Sequence, residues 1–104
     1  MSYVVEQVQD ESGTWYRRFS NGWVEQGGIV DNPSKNPQIT LPIEFRDLNY
    51  NIFAWPKDGQ LSGSAFLWNG NQQTTGFYIH MGGGTAGVES SPTTASWEAK
   101  GFAA

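Results

Sequence analysis

Short runs rich in Val, Ile, Phe, Tyr, Trp and Thr alternate along this chain with clusters of Gly, Asn, Asp and Ser. No window holds an apolar i, i+3, i+4, i+7 stripe long enough for a helix. The pattern predicts strands near Tyr3–Val8, Thr14–Ser20, Trp23–Val30, Gln38–Phe45, Tyr50–Trp55, Ser64–Asn69, Thr74–Met81 and Thr94–Phe102. Breaks fall at "DESG", "NG", "DNPSKNP", "RDLN", "PKDGQLSG", "NGNQ" and "GGGTAGVESSP". Turns spaced this regularly imply an all-β chain, an antiparallel β-sandwich with short strands and Gly/Asn-rich loops. No tandem repeat occurs at a solenoid period. The glycine tract Gly82–Gly87 is expected to be a mobile loop.

The densest local signal is "TWYRRFSNGWVEQGG", residues 14–28. Asn21-Gly22 predicts a two-residue hairpin loop of type I′, with positive φ at both residues. Ser20 then faces Trp23, Phe19 faces Val24, and Arg18 faces Glu25 as a charge pair worth about 0.2–1 kcal/mol. Tyr16 falls opposite Gly27 and Trp15 opposite Gly28, where a missing side chain leaves room for a ring. Trp15, Phe19 and Val24 share one face, and Tyr16 and Trp23 the other. Two aromatic faces imply that one packs on the core and the other on something else, such as a second subunit.

Length and composition narrow the class. A chain of 104 residues is one domain, residues 1–104, with a modest core. Charged residues are 15% of it, well below the roughly 25% usual in soluble domains. The surface is therefore built from Ser, Thr, Asn, Gln and Gly, which suits neutral hydroxyl-rich partners. Six Lys and Arg stand against ten Asp and Glu, a net charge of −4. That argues against nucleic acid, whose affinity rests on neutralising phosphates. There is no cysteine, which excludes disulfides and thiolate metal sites. "MSYVVEQVQ" has neither a basic n-region nor a long apolar run, so no signal peptide and no membrane insertion is expected from it.

Residues able to carry chemistry are few. "GGGTAG" at Gly82–Gly87 matches G-x-G-x-x-G in form, but no helix follows to receive a pyrophosphate, and no cofactor is expected. His80 is the only histidine. Without cysteine it cannot build an ordinary zinc site, and no G-x-S-x-G supplies a nucleophile elbow. A metal held by three copies of His80 meeting on a threefold axis is the lesser alternative to a partly exposed strand histidine. The carboxylates Glu44 with Asp47, or Glu6 with Glu25, are not singled out as a hydrolytic pair. "WYRRF" mixes basic and aromatic residues, but along a strand Arg17 and Arg18 point to opposite faces. Trp55 and Trp68 stand beside "WPKDG" and "WNGNQ". Indole faces stack on sugar C–H surfaces, and nearby amides and acids bond hydroxyls. Trp55, Lys57, Asp58, Trp68, Asn69, Asn71 and His80 are the candidate ligand contacts; the alternative, that each Trp caps the core at a strand end, weighs evenly for Trp55 and is the better reading for Trp68. Trp15, Tyr16, Asn21, Gly22, Trp23, Gly27 and Gly28 are the structural hairpin set.

"WYRRFSNGWVEQGG" resembles the opening of a C-terminal domain found at the tips of bacteriophage and prophage tail fibres. Members of that family carry W-Y-R-x-[YFW]-S-[DN]-G-W-x-E-Q-G-G, then an apolar strand with Pro and Phe, and end near W-x-A-x-G-[YF]. This chain has "YVVEQ" before the first motif, "ITLPIEF" at Ile39–Phe45, and "WEAKGF" at Trp97–Phe102. The resemblance covers nearly the whole chain and departs at Lys100, where a small apolar residue is more usual. It implies a non-enzymatic homotrimeric tip at the distal end of a phage tail fibre. Such a tip joins the rest of the fibre and adsorbs to a bacterial surface polysaccharide, lipopolysaccharide or outer-membrane protein. It would be made in the host cytoplasm and carried on the virion. The chain would be either an excised domain or an unusually short gene product. The same resemblance leaves room for a trimerisation module without its own receptor site and, less well supported, a small depolymerase.

Overall fold

The computed structural model describes residues 2–31, 37–56, 66–82 and 94–104. Among these residues eight strands are formed: β1 Val4–Gln9, β2 Trp15–Phe19, β3 Trp23–Asp31, β4 Gln38–Thr40, β5 Asn51–Pro56, β6 Phe66–Gln73, β7 Gly76–Gly82 and β8 Thr94–Phe102. All pairings are antiparallel, and no helix occurs among the described residues. One sheet has five strands in the order β1-β2-β3-β8-β5, and the other has three in the order β4-β7-β6. The architecture is all-β and β-sandwich-like, with one core shared by both sheets.

Two successive hairpins turn by the same device. Gly13 and Gly22 both have positive φ, +93° and +91°. In each, the N–H of that glycine donates to the carbonyl three residues earlier, Gly13 to Asp10 and Gly22 to Phe19. This is a three-residue loop, a type I turn followed by a left-handed glycine. An Asx side chain finishes each turn. Asp10 Oδ1 accepts from the N–H groups of Ser12 and Thr14, and Asn21 Oδ1 accepts from the N–H of Trp23. The Ser12 hydroxyl is the main cause that holds the Asp10 carboxyl below its ordinary pKa, against an opposing desolvation.

The type I′ turn is thereby corrected. Asn21 does not adopt positive φ, so the loop holds three residues and the register moves by one. Trp15 pairs with Gly27, Tyr16 with Gln26, Arg17 with Glu25, and Arg18 with Val24. The ion pair at Glu25 is made by Arg17, at 2.9 Å, and Arg18 turns to Glu6 at 3.1 Å. Val24 leaves the face of Trp15 and Phe19, and Trp23 joins it. A one-residue slip exchanges faces because side chains alternate with period two.

The inner face of the large sheet carries Val24, Gln26 and Val30 from β3, Ala95, Trp97, Ala99 and Gly101 from β8, and Ile52 and Ala54 from β5. Phe77 and Ile79 of β7 face it from the small sheet, with the Phe77 ring edge-on to Trp97 at 5.6 Å. Burying each such side chain contributes about 1.5–3 kcal/mol. Phe45 and Tyr50 stack at 4.1 Å in the connection from β4 to β5. A Cβ on Gly101 would meet Tyr50 Cβ at 2.6 Å, so the glycine admits that stack to the sheet.

Two predicted boundaries differ by more than two residues. β4 stops at Thr40 rather than Phe45. Pro42 has no N–H to continue a ladder, and the backbone of Ile43 bonds to a side chain instead: Gln26 donates to the Ile43 carbonyl and accepts from its N–H, both at 2.9 Å. "NGNQ" is no turn. β6 runs through it to Gln73, absorbing a register shift between Gly70 and Gln73, and Asn71 has φ +49°. The chain reverses at Thr74–Thr75, whose carbonyls accept from the N–H groups of Phe45 and Leu41. Residues 32–36 of "DNPSKNP" and most of the glycine tract lie outside the described residues.

Candidate functional site

The outer face of the five-stranded sheet can be read as rows across the strands. One row is Gln7–Arg17–Glu25–Lys100–Asn51; the next is Gln9–Trp15–Gly27–Glu98–Phe53; the next is Ile29–Ser96–Trp55. Trp23 beside Phe102 closes the other end, their rings edge-to-face at 5.1 Å. Large apolar groups on this face remain open: Phe53 is 51% exposed, Trp55 43% and Ile29 42%. The small sheet lies on the opposite side of these strands and covers none of them.

The middle row depends on Gly27. A Cβ there would meet Trp15 Nε1 at 2.8 Å, so the Trp15 ring lies across the backbone of β3. The Arg17 guanidinium sits 5.0 Å from the centre of that ring and binds Glu25, which also accepts from Trp23 Nε1 at 3.3 Å. Trp15 is thus fixed from one side by a cation and from below by a glycine. The ring that lies against Gly28 is Trp97, from the inner face, in place of the Trp15 expected there. Tyr16 faces inward opposite Gln26; desolvation first, then the Glu6 carboxylate, raises its phenol pKa. Lys100, the departure from the tail-fibre pattern, points outward and lies 3.9 Å from Glu98. It leaves the inner packing of β8 untouched.

Between Trp15 and Trp55 the outer face forms a depression of about 220 Å³. Gln9, Trp15, Ile29, Trp55, Ser96 and Glu98 line it. Gly28 and Trp97, also at its wall, lie between these outward residues along β3 and β8. The sites combine two indoles, an aliphatic side chain, a hydroxyl, an amide and a carboxylate.

The candidate receptor contacts are not gathered into one place. Trp55 ends β5 on the outer face of the large sheet. His80 stands on the outer side of the small sheet, its ring stacked on Tyr78 at 6.1 Å and laid over Gly70. Asn71 is exposed on β6. The backbone of Trp68 pairs with His80 and that of Asn69 with Ile79; their side chains are outside what the structure describes. Lys57 and Asp58 lie outside the described residues. Sequence reasoning missed Phe53, Ile29, Ser96 and Glu98 as neighbours of Trp55. The period-two alternation N-I-F-A-W put Phe53 and Trp55 on one face, but their neighbours come from strands far away in sequence.

The acid pairs weighed for hydrolysis are separated or engaged. Glu6 belongs to the inner side and Glu25 to the outer side of the same sheet. Glu44 accepts from the Thr74 hydroxyl, and Asp47 accepts from the N–H of Asn49. Among the described residues no three His, Asp, Glu or Cys side chains come together as a metal site. No family model, no curated protein and no solved structure matches this chain.

Proposed function

We propose that this chain is the receptor-binding tip domain of a bacteriophage tail fibre. It acts as a homotrimer, joins the rest of the fibre, and adsorbs the virion to a bacterial surface glycan or outer-membrane protein without cleaving it. The observation that carries this reading is the outer face of the large sheet, where indoles stand beside polar groups and no described strand packs over them. A large exposed aromatic surface on a soluble domain marks an interaction site.

The three segments that carry the tail-fibre resemblance support the reading in a second way. Gln26 of "WVEQGG" clamps Ile43 of "ITLPIEF", and Gly101 of "WEAKGF" admits the Phe45–Tyr50 stack. The three segments pack against one another in one core. They account for the scaffold, which leaves Phe53 and Trp55, outside all three motifs, for recognition.

Adsorption of the labelled protein to a panel of bacterial strains is the direct test. Saturable binding to some strains supports the reading; binding to none across a broad panel opposes it. A second reading, a trimerisation module with no receptor site, is favoured by β1 and the residue before it, where Tyr3, Val4, Val5 and Val8 are all exposed. A domain this small gains stability by burying such surface between copies. Sedimentation at micromolar concentration should find a trimer; a stable monomer would sink both assemblies. The depolymerase reading has the least support, since among the described residues no acid pair flanks a common cleft. No release of reducing ends from capsule or lipopolysaccharide is expected.

A further inference from the structure

We propose that the depression between Trp15 and Trp55 is a subsite for one neutral pyranose ring of a surface glycan. This rests on the receptor-binding reading and assigns to it a place and a ligand class.

Size comes first. The depression is about 220 Å³, below the roughly 300–1,000 Å³ typical of sites for drug-sized ligands. That volume suits one sugar ring. The backbones of β2 and β5 stand three strand spacings apart, about 14 Å at ~4.8 Å each. The Trp15 ring already reaches over Gly27 toward β8, which narrows the gap to the width a single ring and its hydroxyls can span.

Chemistry comes next. A pyranose presents a C–H face and a girdle of hydroxyls. Trp55 at the open edge and Ile29 at the floor meet the first; Gln9, Ser96 and Glu98 meet the second. The Gln9 amide both donates and accepts, the Ser96 hydroxyl does the same, and the Glu98 carboxylate accepts from two adjacent hydroxyls. Charge sets the class. Among the described residues Glu98 is the only acidic or basic side chain lining the depression. Lys100 lies beyond it and Arg17 is held by Glu25. Among the described residues no cation lines the depression, and Lys100 meets Glu98 from outside it, so a uronic or sialic acid would meet a carboxylate and no lining cation. Neutral hexoses and N-acetylhexosamines fit.

The site is pre-built on its Trp15 side. Arg17 over the ring and Gly27 beneath its Nε1 edge hold it in place before any ligand arrives. Rigid groups lose less freedom on binding, which is where preorganised sites gain affinity.

The test uses the whole chain and a panel of methyl glycosides: glucoside, galactoside, mannoside, N-acetylglucosaminide and glucuronide. Saturation-transfer NMR should detect at least one neutral glycoside with a millimolar dissociation constant and no glucuronide. Trp55→Ala should weaken that binding by about tenfold or more, the scale expected of an aromatic anchor. Ser96→Phe, which fills the depression and leaves Trp55 in place, should do the same. Glu98→Gln should let the glucuronide bind. Circular dichroism confirms that each variant folds.

No neutral glycoside bound, or binding unchanged in both Trp55→Ala and Ser96→Phe, overturns the assignment. So does a change of oligomeric state in Trp55→Ala, which would make this face a contact between copies. The two readings fail separately. If the parent adsorbs to cells and Ser96→Phe adsorbs equally, the receptor site lies elsewhere and only the subsite is lost. If the parent adsorbs to no strain yet binds a glycoside that Ser96→Phe rejects, the subsite stands and the tip assignment falls.

Discussion

Compare the two faces of β8. Inward it presents Ala95, Trp97, Ala99 and Gly101; outward it presents Thr94, Ser96, Glu98, Lys100 and Phe102. The inward side has three small residues and one large ring, and it is buried. Its neighbour β5 carries Ile52 and Ala54 inward but Phe53 and Trp55 outward, so the larger apolar groups of β5 are the exposed ones. Hydrophobic bulk does not mark the inside of this sheet. Space does: inward positions are cut down so that Trp97, Phe45, Tyr50 and Phe77 can approach, whereas outward positions have no such limit. The outer positions of β5 and β8 are free of that constraint, and the proposed recognition surface lies among them.

Trp97 and Trp55 lie on opposite sides of the sheet, and the largest expected effect tests the inner one. Trp97→Ala removes a ring that packs on Phe77 and covers Gly28. The cavity should lower stability by about 3–5 kcal/mol, measured by urea unfolding. A loss under about 1 kcal/mol would mean the core closes over the gap.

Gln26→Met comes next. Gln26 is fully buried, 0% exposed, and its amide satisfies both backbone groups of Ile43. Met keeps the volume and abandons those partners. A loss of about 2–4 kcal/mol is expected, since each buried unsatisfied group costs about 1–3 kcal/mol. An unchanged urea midpoint would show that water reaches Ile43 and the clamp is dispensable.

Gly22→Val tests the turn. At φ +91° a β-branched residue is strained, and a loss of about 1–3 kcal/mol is expected. Asn21→Ala discriminates the two turn types. In the observed loop Asn21 keeps negative φ and gives only an acceptor to Trp23 N–H, so its replacement should cost less than Gly22→Val. Equal losses would restore the type I′ turn.

Tyr50→Phe has a smaller effect at neutral pH and a pH signature. Its hydroxyl donates to the Gln73 carbonyl, and Gly76 O lies 3.4 Å away. Losing that bond should cost about 1 kcal/mol. Burial pushes the Tyr50 phenol up to about 12 from an ordinary 10.0. The folded state therefore holds this proton more tightly than the unfolded chain. The stability so gained is complete below pH 10 and lost as pH rises toward about 12. Tyr50→Phe should flatten the alkaline limb of the stability profile, leaving the same-signed but separate contribution of Tyr16. A profile as steep as the parent's would assign the alkaline loss to other groups.

The strands were legible because alternation is local: β8 occupies Thr94–Phe102, where the pattern put it. The hairpin register was not, because Asn-Gly suits both a two-residue type I′ loop and the last two places of a three-residue loop. Both put Gly22 at positive φ, and only Asn21 separates them. The early end of β4 could be read from Pro42, but its replacement ladder, Gln26 to Ile43, spans 17 residues and leaves no local mark. The candidate site was half visible. Trp55 was named for its ring, while Trp15 was read as part of the hairpin alone. Their meeting depends on β3 and β8 lying between β2 and β5, a non-local pairing that no short window contains.

The smallest expected effect on stability is the sharpest test of the comparison. Trp55 is 43% exposed, and its strand is held by pairing with β8 along its length. The inner residues of β5, Ile52 and Ala54, keep their packing when the outer ring goes. Trp55→Ala should therefore change stability by less than about 1 kcal/mol, as exposed substitutions do, against several for Trp97→Ala. Adsorption to host cells should fall while folding and oligomeric state survive. The same substitution on two faces of one sheet would then separate a ring kept for packing from a ring kept for recognition. If Trp55→Ala instead unfolds the protein, Trp55 is a packing residue covered by surroundings that make it part of the core. If it folds and adsorbs like the parent, the outer face is not where this domain meets its host.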